Sequence, residues 1–161
     1  MGYNVVNMGK VNSENATAIV NRRAWFDYHI GETLLCGIVL TGPEVRAVRD
    51  HRTQIKGAFV TVRNGELWLN NASFSIRNNQ PGTPGSLSVI DTPKKLLATR
   101  KQIKEFVEKK QAGFTIIPLK ILTNRRHIKV EIALAKGKKS YDKRQSIKKR
   151  DIERETNRRF R

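Results

Sequence analysis

Phe114-Thr-Ile-Ile-Pro-Leu-Lys-Ile-Leu122 and His127-Ile-Lys-Val-Glu-Ile-Ala-Leu-Ala135 are two apolar, β-branched runs separated by a few polar residues. Runs of this length and composition read as strands, and Asn124 and Arg125 between them supply a turn, so the pair predicts an antiparallel hairpin. Upstream, Thr99 opens a helix in which Ile103, Phe106 and Val107 form a stripe at i, i+3 and i+4, while Arg100, Lys101, Lys104, Lys109 and Lys110 cover the remaining faces. Gly113 ends it. Farther upstream, Ile55–Val62 and Glu66–Asn70 are strand-like, and Asn64-Gly65 between them signals a hairpin because both residues tolerate the positive φ of a type I′ turn.

Nearer the N-terminus, Ala24, Phe26, Tyr28 and Ile30 alternate with Trp25, Asp27 and His29, which predicts a strand with one buried face; Cys36–Leu40 predicts another. Thr41, Gly42 and Pro43 set up a short helix, with Glu44 near the positive end of its dipole, Val45 and Val48 on one side, and Arg46 and Arg49 on another. Asn78–Pro93, with three prolines and two glycines, predicts a mobile loop. Hairpins between neighbouring strands and few helices favour a mainly β fold: a small closed antiparallel barrel of about six strands, of the oligonucleotide-binding type, with two or three flanking helices. The expected organisation is a loose N-terminal extension over residues 1–20, a barrel domain over 21–136 and a basic tail over 137–161.

Lys136–Arg161 holds twelve Lys or Arg against four acids, a net +8 of the whole chain's +18. Its large apolar residues Tyr141, Ile147, Ile152 and Phe160 follow neither the helical nor the strand period, so this tail is expected to be disordered when free. A basic body with a more basic tail predicts two contact surfaces for nucleic acid, since each cation that meets a phosphate releases a condensed counterion. No stretch has the apolar length of a membrane span, and the first twenty residues lack the pattern of a signal peptide, which predicts a cytoplasmic protein without a membrane partner. Cys36, the single cysteine, lies among Ile, Val and Leu as a buried filler and excludes a disulfide within one chain.

Little in the sequence suggests chemistry. His29, His51 and His127 never share metal-pair spacing, and of the ten acids before the tail only Glu105 and Glu108 are helical neighbours, placed among lysines for surface ion pairing. There is no Gly-rich phosphate loop, nucleophile elbow or carboxylate pair. The expectation is no enzyme, no catalytic residue, no metal, no cofactor and no small-molecule substrate.

The fragments Asn21-Arg22-Arg23-Ala24 with Tyr28, Gly42-Pro43-Glu44-Val45-Arg46 with Arg49, Asn64-Gly65-Glu66, Lys94-Lys95-Leu96-Leu97, Pro118-Leu119-Lys120 and Ala133-Leu134-Ala135-Lys136-Gly137-Lys138-Lys139 with Tyr141-Asp142-Lys143-Arg144 occur in order. In that order and spacing the chain resembles the bacterial SsrA-binding protein family over roughly Asn21–Arg150. The resemblance implies a barrel that binds transfer-messenger RNA and carries it, charged with alanine, to ribosomes stalled without a usable codon. It implies that the barrel holds the tRNA-like domain while the tail enters the empty messenger channel by the decoding centre. On matching positions, Asn21, Arg22, Arg23, Glu44, Arg46, Arg49, Lys94, Lys95 and Leu97 are implied as the transfer-messenger RNA surface or its support. Glu44 could equally cap its helix, and Leu97 could equally fill the core. Lys136, Gly137, Lys138, Lys139, Tyr141, Asp142, Lys143 and Arg144 are implied as the ribosomal segment, with Gly137 the hinge and Tyr141 a ring free to stack on a base.

The chain departs from the family pattern at Leu35, where Glu is common, at Asp50-His51, where Ala-Gly is usual, and at Tyr141, where some members carry His. A turn at Asp50-His51 would put a His in the left-handed region. The competing readings are a ribosomal structural protein, a general single-stranded nucleic-acid-binding barrel, and a nuclease or RNA-modifying enzyme, the last requiring clustered acids or histidines.

Overall fold

The structure, a computed structural model, describes residues 17–77, 85–110, 113–123 and 126–159. The predicted closing hairpin is its spine. Phe114–Thr123 (β9) and Ile128–Gly137 (β10) pair antiparallel from Ile128 opposite Thr123 to Lys136 opposite Phe114, with an irregularity at Glu131/Ile132. The predicted turn at Asn124 and Arg125 lies outside the described residues. β10 also pairs with the eleven-residue strand Tyr28–Ile38 (β2), from Lys129 opposite Gly37 to Gly137 opposite Tyr28.

β2 then pairs with Lys94–Leu97 (β8), β8 with Glu66–Asn70 (β5), and β5 with Phe59–Arg63 (β4). β4 returns to β9 through Val60 opposite Ile116 and closes a ring of six strands. Closure leaves no edge on the ring itself, and the interior fills with alternate side chains. Leu67, Leu69, Leu96, Ile116, Ile121, Val130 and Ile132 are all 2% exposed or less. Cys36 belongs to the same core, and burial pushes its thiol up to about 11, so it stays protonated at neutral pH.

The helices sit where the caps allow. Gly42–Arg49 (α2) begins at Thr41, whose backbone N–H donates to Glu44 Oε2 at 2.9 Å. Arg100–Glu108 (α3) begins at Thr99, which exchanges hydrogen bonds with Gln102 and buries Ile103 and Phe106; Lys101 with Glu105 and Lys104 with Glu108 face solvent. Asn64 and Gly65 both take positive φ, and His51 takes φ 55, as the turn at Asp50-His51 requires.

Four expectations are corrected. Arg22–Asp27 is a short helix (α1), not the first half of a strand, and β2 starts only at Tyr28. Asn21 decides this, because its side chain accepts from the Ala24 N–H and turns the chain into a helix. Residues 17–20, inside the stretch expected to be loose, form β1 (Thr17–Val20) on the outer edge of β9. The strand expected from Ile55 begins only at Phe59, after a turn through Gly57 at φ 78. Part of the expected loop is strand: Leu87–Ile90 (β7) pairs with Ser73–Arg77 (β6), which pairs with Thr53–Gln54 (β3), making a second sheet of three strands.

After β10 the chain continues as Ser140–Arg159 (α4), a helix in which no described residue is buried. Ile147 and Ile152 are exposed, so these apolar residues of the helix do not pack against the barrel.

Candidate nucleic-acid interface

The antiparallel register of β2 sorts the implied residues into two groups at its opposite ends. Tyr28 meets Gly137 at one end, and Gly37 and Ile38 meet Leu97 and Leu96 near the other. Nine residues of strand separate Tyr28 from Gly37, about 30 Å of rise at 3.3 Å each.

At the far end, α2 packs against β6 and reaches β8 through one side-chain pair. Glu44 is 2% exposed, and its carboxylate accepts from Lys94 Nζ at 2.5 Å and from the Thr41 N–H. Burial alone would push the Glu44 carboxyl up, but Lys94 and Thr41 outweigh it and hold it below the usual carboxylate range. Lys94 also donates to Thr92 Oγ1 at 2.7 Å and lies 5.8 Å from the centre of the Phe74 ring. Glu44 and Lys94 are therefore a buried brace between α2 and β8. Glu44 both caps α2 and pairs it with β8.

Neighbouring Lys95 differs, since its 2.5 Å pair with Glu66 is open to solvent on both sides. Ala47 and Val48 face the core and Val45 is half-buried, which turns Arg46 and Arg49 outward. Leu97 is 51% exposed, and the core position is filled by Leu96 instead. Leu97 covers Gly37, where an added Cβ would lie 3.3 Å from its own, and the two residues line a cleft of about 320 Å³ with Arg49, Arg126, His127 and Lys129. Leu35 is exposed on β2 opposite Glu131, which pairs with Lys120 at 2.7 Å.

At the near end, α1 lies beside the root of the tail. Asn21, 6% exposed, donates to the carbonyls of Ile55 and Pro118 at 3.1 and 3.0 Å and so ties α1 to the barrel. Arg22 and Arg23 are exposed, with Arg23 bonded to Asp27 at 2.8 Å. Under them a cavity of about 590 Å³ is lined by Arg23, Asp27, Tyr28, Lys56 and the exposed ring of Phe59. The Lys138 N–H donates to the Asp27 carbonyl at 2.8 Å, and its ammonium to the Trp25 carbonyl at 3.0 Å. Asp142 accepts from the Lys139 N–H and lies 3.4 Å from His29 Nε2. Tyr141 is 68% exposed, and its hydroxyl accepts from Gln145 at 2.8 Å. Lys136 and Gly137 close β10, Arg144 is exposed on α4, and the side chain of Lys143 lies outside those described.

Asn21, Arg22 and Arg23 thus share the tail's end of the barrel and lie away from Arg46, Arg49 and Leu97. Sequence reasoning missed the root of the tail as a docked segment, along with Phe59, Trp25 and the His29–Asp142 contact. Only Asn21, a residue suited to capping before a short apolar run, carried a signal for the helix that organises them.

Comparison with known proteins points to one family. The profile of a family described as SmpB protein matches residues 18–161. An SsrA-binding protein of Clostridium acetobutylicum is 36% identical over 154 residues, 94% of this chain and 96% of that protein. An SsrA-binding protein of Thermosipho africanus is 45% identical over 141 residues, 85% of this chain and 91% of that one. A solved chain from work described as "tmRNA-SmpB: a journey to the center of the bacterial ribosome" is 37% identical, with a TM-score of 0.59 over 76% of this chain and 85% of its own.

Proposed function

The chain belongs to the SmpB protein family, and on that basis we propose that it binds transfer-messenger RNA and delivers it to stalled ribosomes, where the nascent chain is tagged and released. The observation that carries this is the family match running unbroken through barrel and tail, residues 18–161. Charge supports it, with net +18 spread over both parts.

The far end is the surface for the tRNA-like domain. Arg46 and Arg49 meet phosphates, Leu97 and the Gly37 cleft take ribose or base edges, and the Glu44–Lys94 brace holds α2 in place. The near end faces the ribosome, and the tail enters the vacant messenger channel, with Tyr141 stacking on an exposed base. Asn21 supports that end through α1, and Arg22 and Arg23 add charge to it. The protein contributes binding and delivery, with no catalytic step of its own. Its place of work is the cytoplasm, and among the described residues no helix is long and apolar enough to cross a membrane.

Crosslinking the protein in cells and sequencing the attached RNA tests this reading. One small RNA together with ribosomal RNA, at far below one protein per ribosome, is the expected result. A fixed one-to-one ratio with ribosomes would instead mark a ribosomal structural protein.

A further inference from the structure

We propose that Trp25 is a base-stacking platform at the near end of the barrel, taking one unstacked RNA base on its indole face. This rests on the RNA-delivery reading above and adds to it a contact residue that neither the family fragments nor the tail pattern contains. An exposed apolar residue is ordinary by itself. Trp25 is set apart by three features of its surroundings.

The residue is 56% exposed although it carries the largest side chain of α1, because Ala24 takes the buried position of that helix. Its backbone is fixed: Asn21 anchors the start of α1 to Ile55 and Pro118, and Lys138 holds the Trp25 and Asp27 carbonyls at the other end. A rigid ring loses little entropy on stacking. Finally it stands on a cationic stretch, with Arg22 exposed on the same short helix and the Lys138 ammonium 3.0 Å from its own carbonyl oxygen. Flat aromatic rings among cations that track the backbone are how single-stranded RNA is held, because every base has a π-face. The tie through Lys138 also brings Trp25 to the same end as Tyr141, so two stacking rings stand at the mouth of the tail.

Trp25 and Trp68 are the only tryptophans, so a Trp68→Phe chain reports Trp25 emission alone. That chain is titrated in one arm with purified transfer-messenger RNA and in the other with small ribosomal subunits carrying an empty messenger channel. Quenching in either arm is expected, and the arm that quenches identifies which RNA supplies the base. In the otherwise native chain, Trp25→Ala should weaken binding in that arm by about 5- to 150-fold, while Trp25→Tyr stays within a few-fold. The slope of log affinity against log salt should not change, because stacking releases no counterion. Unquenched emission in both arms, or native affinity of Trp25→Ala in both, overturns the proposal. A changed salt slope would do the same by making the interaction electrostatic. A native chain that binds neither RNA would bring down the delivery reading itself.

Discussion

The far end of the barrel is braced from within, whereas the near end is tied together along its backbone. At the far end the Glu44–Lys94 pair sits with side-chain exposures of 3% and 11%, and it fixes α2 against β8 so that Arg46 and Arg49 face outward. At the near end the ties are Asn21 to two carbonyls, Lys138 to two more, and the Asp142–His29 contact at the surface. A folded RNA surface with fixed phosphate positions calls for the first kind of support. A tail that must leave the barrel and follow another path calls for ties like those of the Lys138 ammonium and Asp142, because surface hydrogen bonds can be exchanged with little loss, while the buried Asn21 bonds keep α1 in place.

The largest effect should come from removing the near end's tail. A chain ending at Gly137 should keep the barrel and most of its affinity for transfer-messenger RNA, giving up diffuse charge, the two Lys138 bonds and the surface Asp142–His29 contact. Alanine transfer to the nascent chain on codon-less ribosomes should fall to background. Full transfer by the truncated chain would erase the distinction between the ends.

Next is the brace. Glu44→Ala leaves the part-buried Lys94 ammonium with only Thr92 and the Phe74 ring and should cost about 1.5–3 kcal/mol in thermal or denaturant unfolding. The equivalent change at the exposed pair, Glu66→Ala, should cost at most about 1 kcal/mol. Equal costs would mean that burial does not separate the two lysines. The pH dependence follows in sign: with its carboxyl held below the ordinary 4.5, Glu44 stabilises the fold fully above that value, and the contribution fades as pH falls through the lower folded value. Glu44→Gln should flatten the acid limb of the stability curve accordingly.

A smaller effect should follow from Arg46→Ala with Arg49→Ala. The salt slope for transfer-messenger RNA should drop by about 0.7–0.9 for each phosphate deprived of its cation, with unfolding little changed. An unchanged slope would move that RNA surface off α2.

The smallest effect concerns α4. Its helix gains only a few tenths of a kcal/mol from each local ion pair and buries no described residue, so in the free protein it should fray beyond the turn held by Asp142. Circular dichroism of full-length and Gly137-terminated chains should then differ by far less than twenty residues of helix. A difference of the full twenty would show the helix standing on its own and would refute the expected disorder.

The sequence revealed whatever a single local rule governs. Asn64-Gly65 declared its turn, Thr99 its helix, and the two long runs their pairing, because φ preference, capping and period 2 need no distant partner. α1 stayed hidden because six residues are under two turns, and Ala24, Phe26, Tyr28 and Ile30 alternate across its junction with β2 as a strand would. β7 stayed hidden for a different reason. Its Leu87 and Val89 point to solvent, 56% and 66% exposed, so the apolar residues mark no core face. At the site, the charges were legible and their grouping was not. Glu44 and Lys94 stand fifty positions apart, and only the pairing of β2 with β8 makes them a brace.

β2 runs as a single strand from one end of the barrel to the other, with one extra residue let in where Ile30 and Thr33 face Ala135 and Ala133, so it works as a ruler between the two surfaces proposed for RNA. Its graduation is the covalent rise of the backbone, about 3.3 Å per residue. No loop can lengthen that span. Inserting one residue without a second bulge would turn every following side chain to the other face and expel Cys36 from the core, while inserting two would keep the facing but move the tail's exit nearly 7 Å from the α2 surface. The distance between the two proposed RNA surfaces is therefore set by the residues between Tyr28 and Ile38, and it changes in steps of two or by a further bulge.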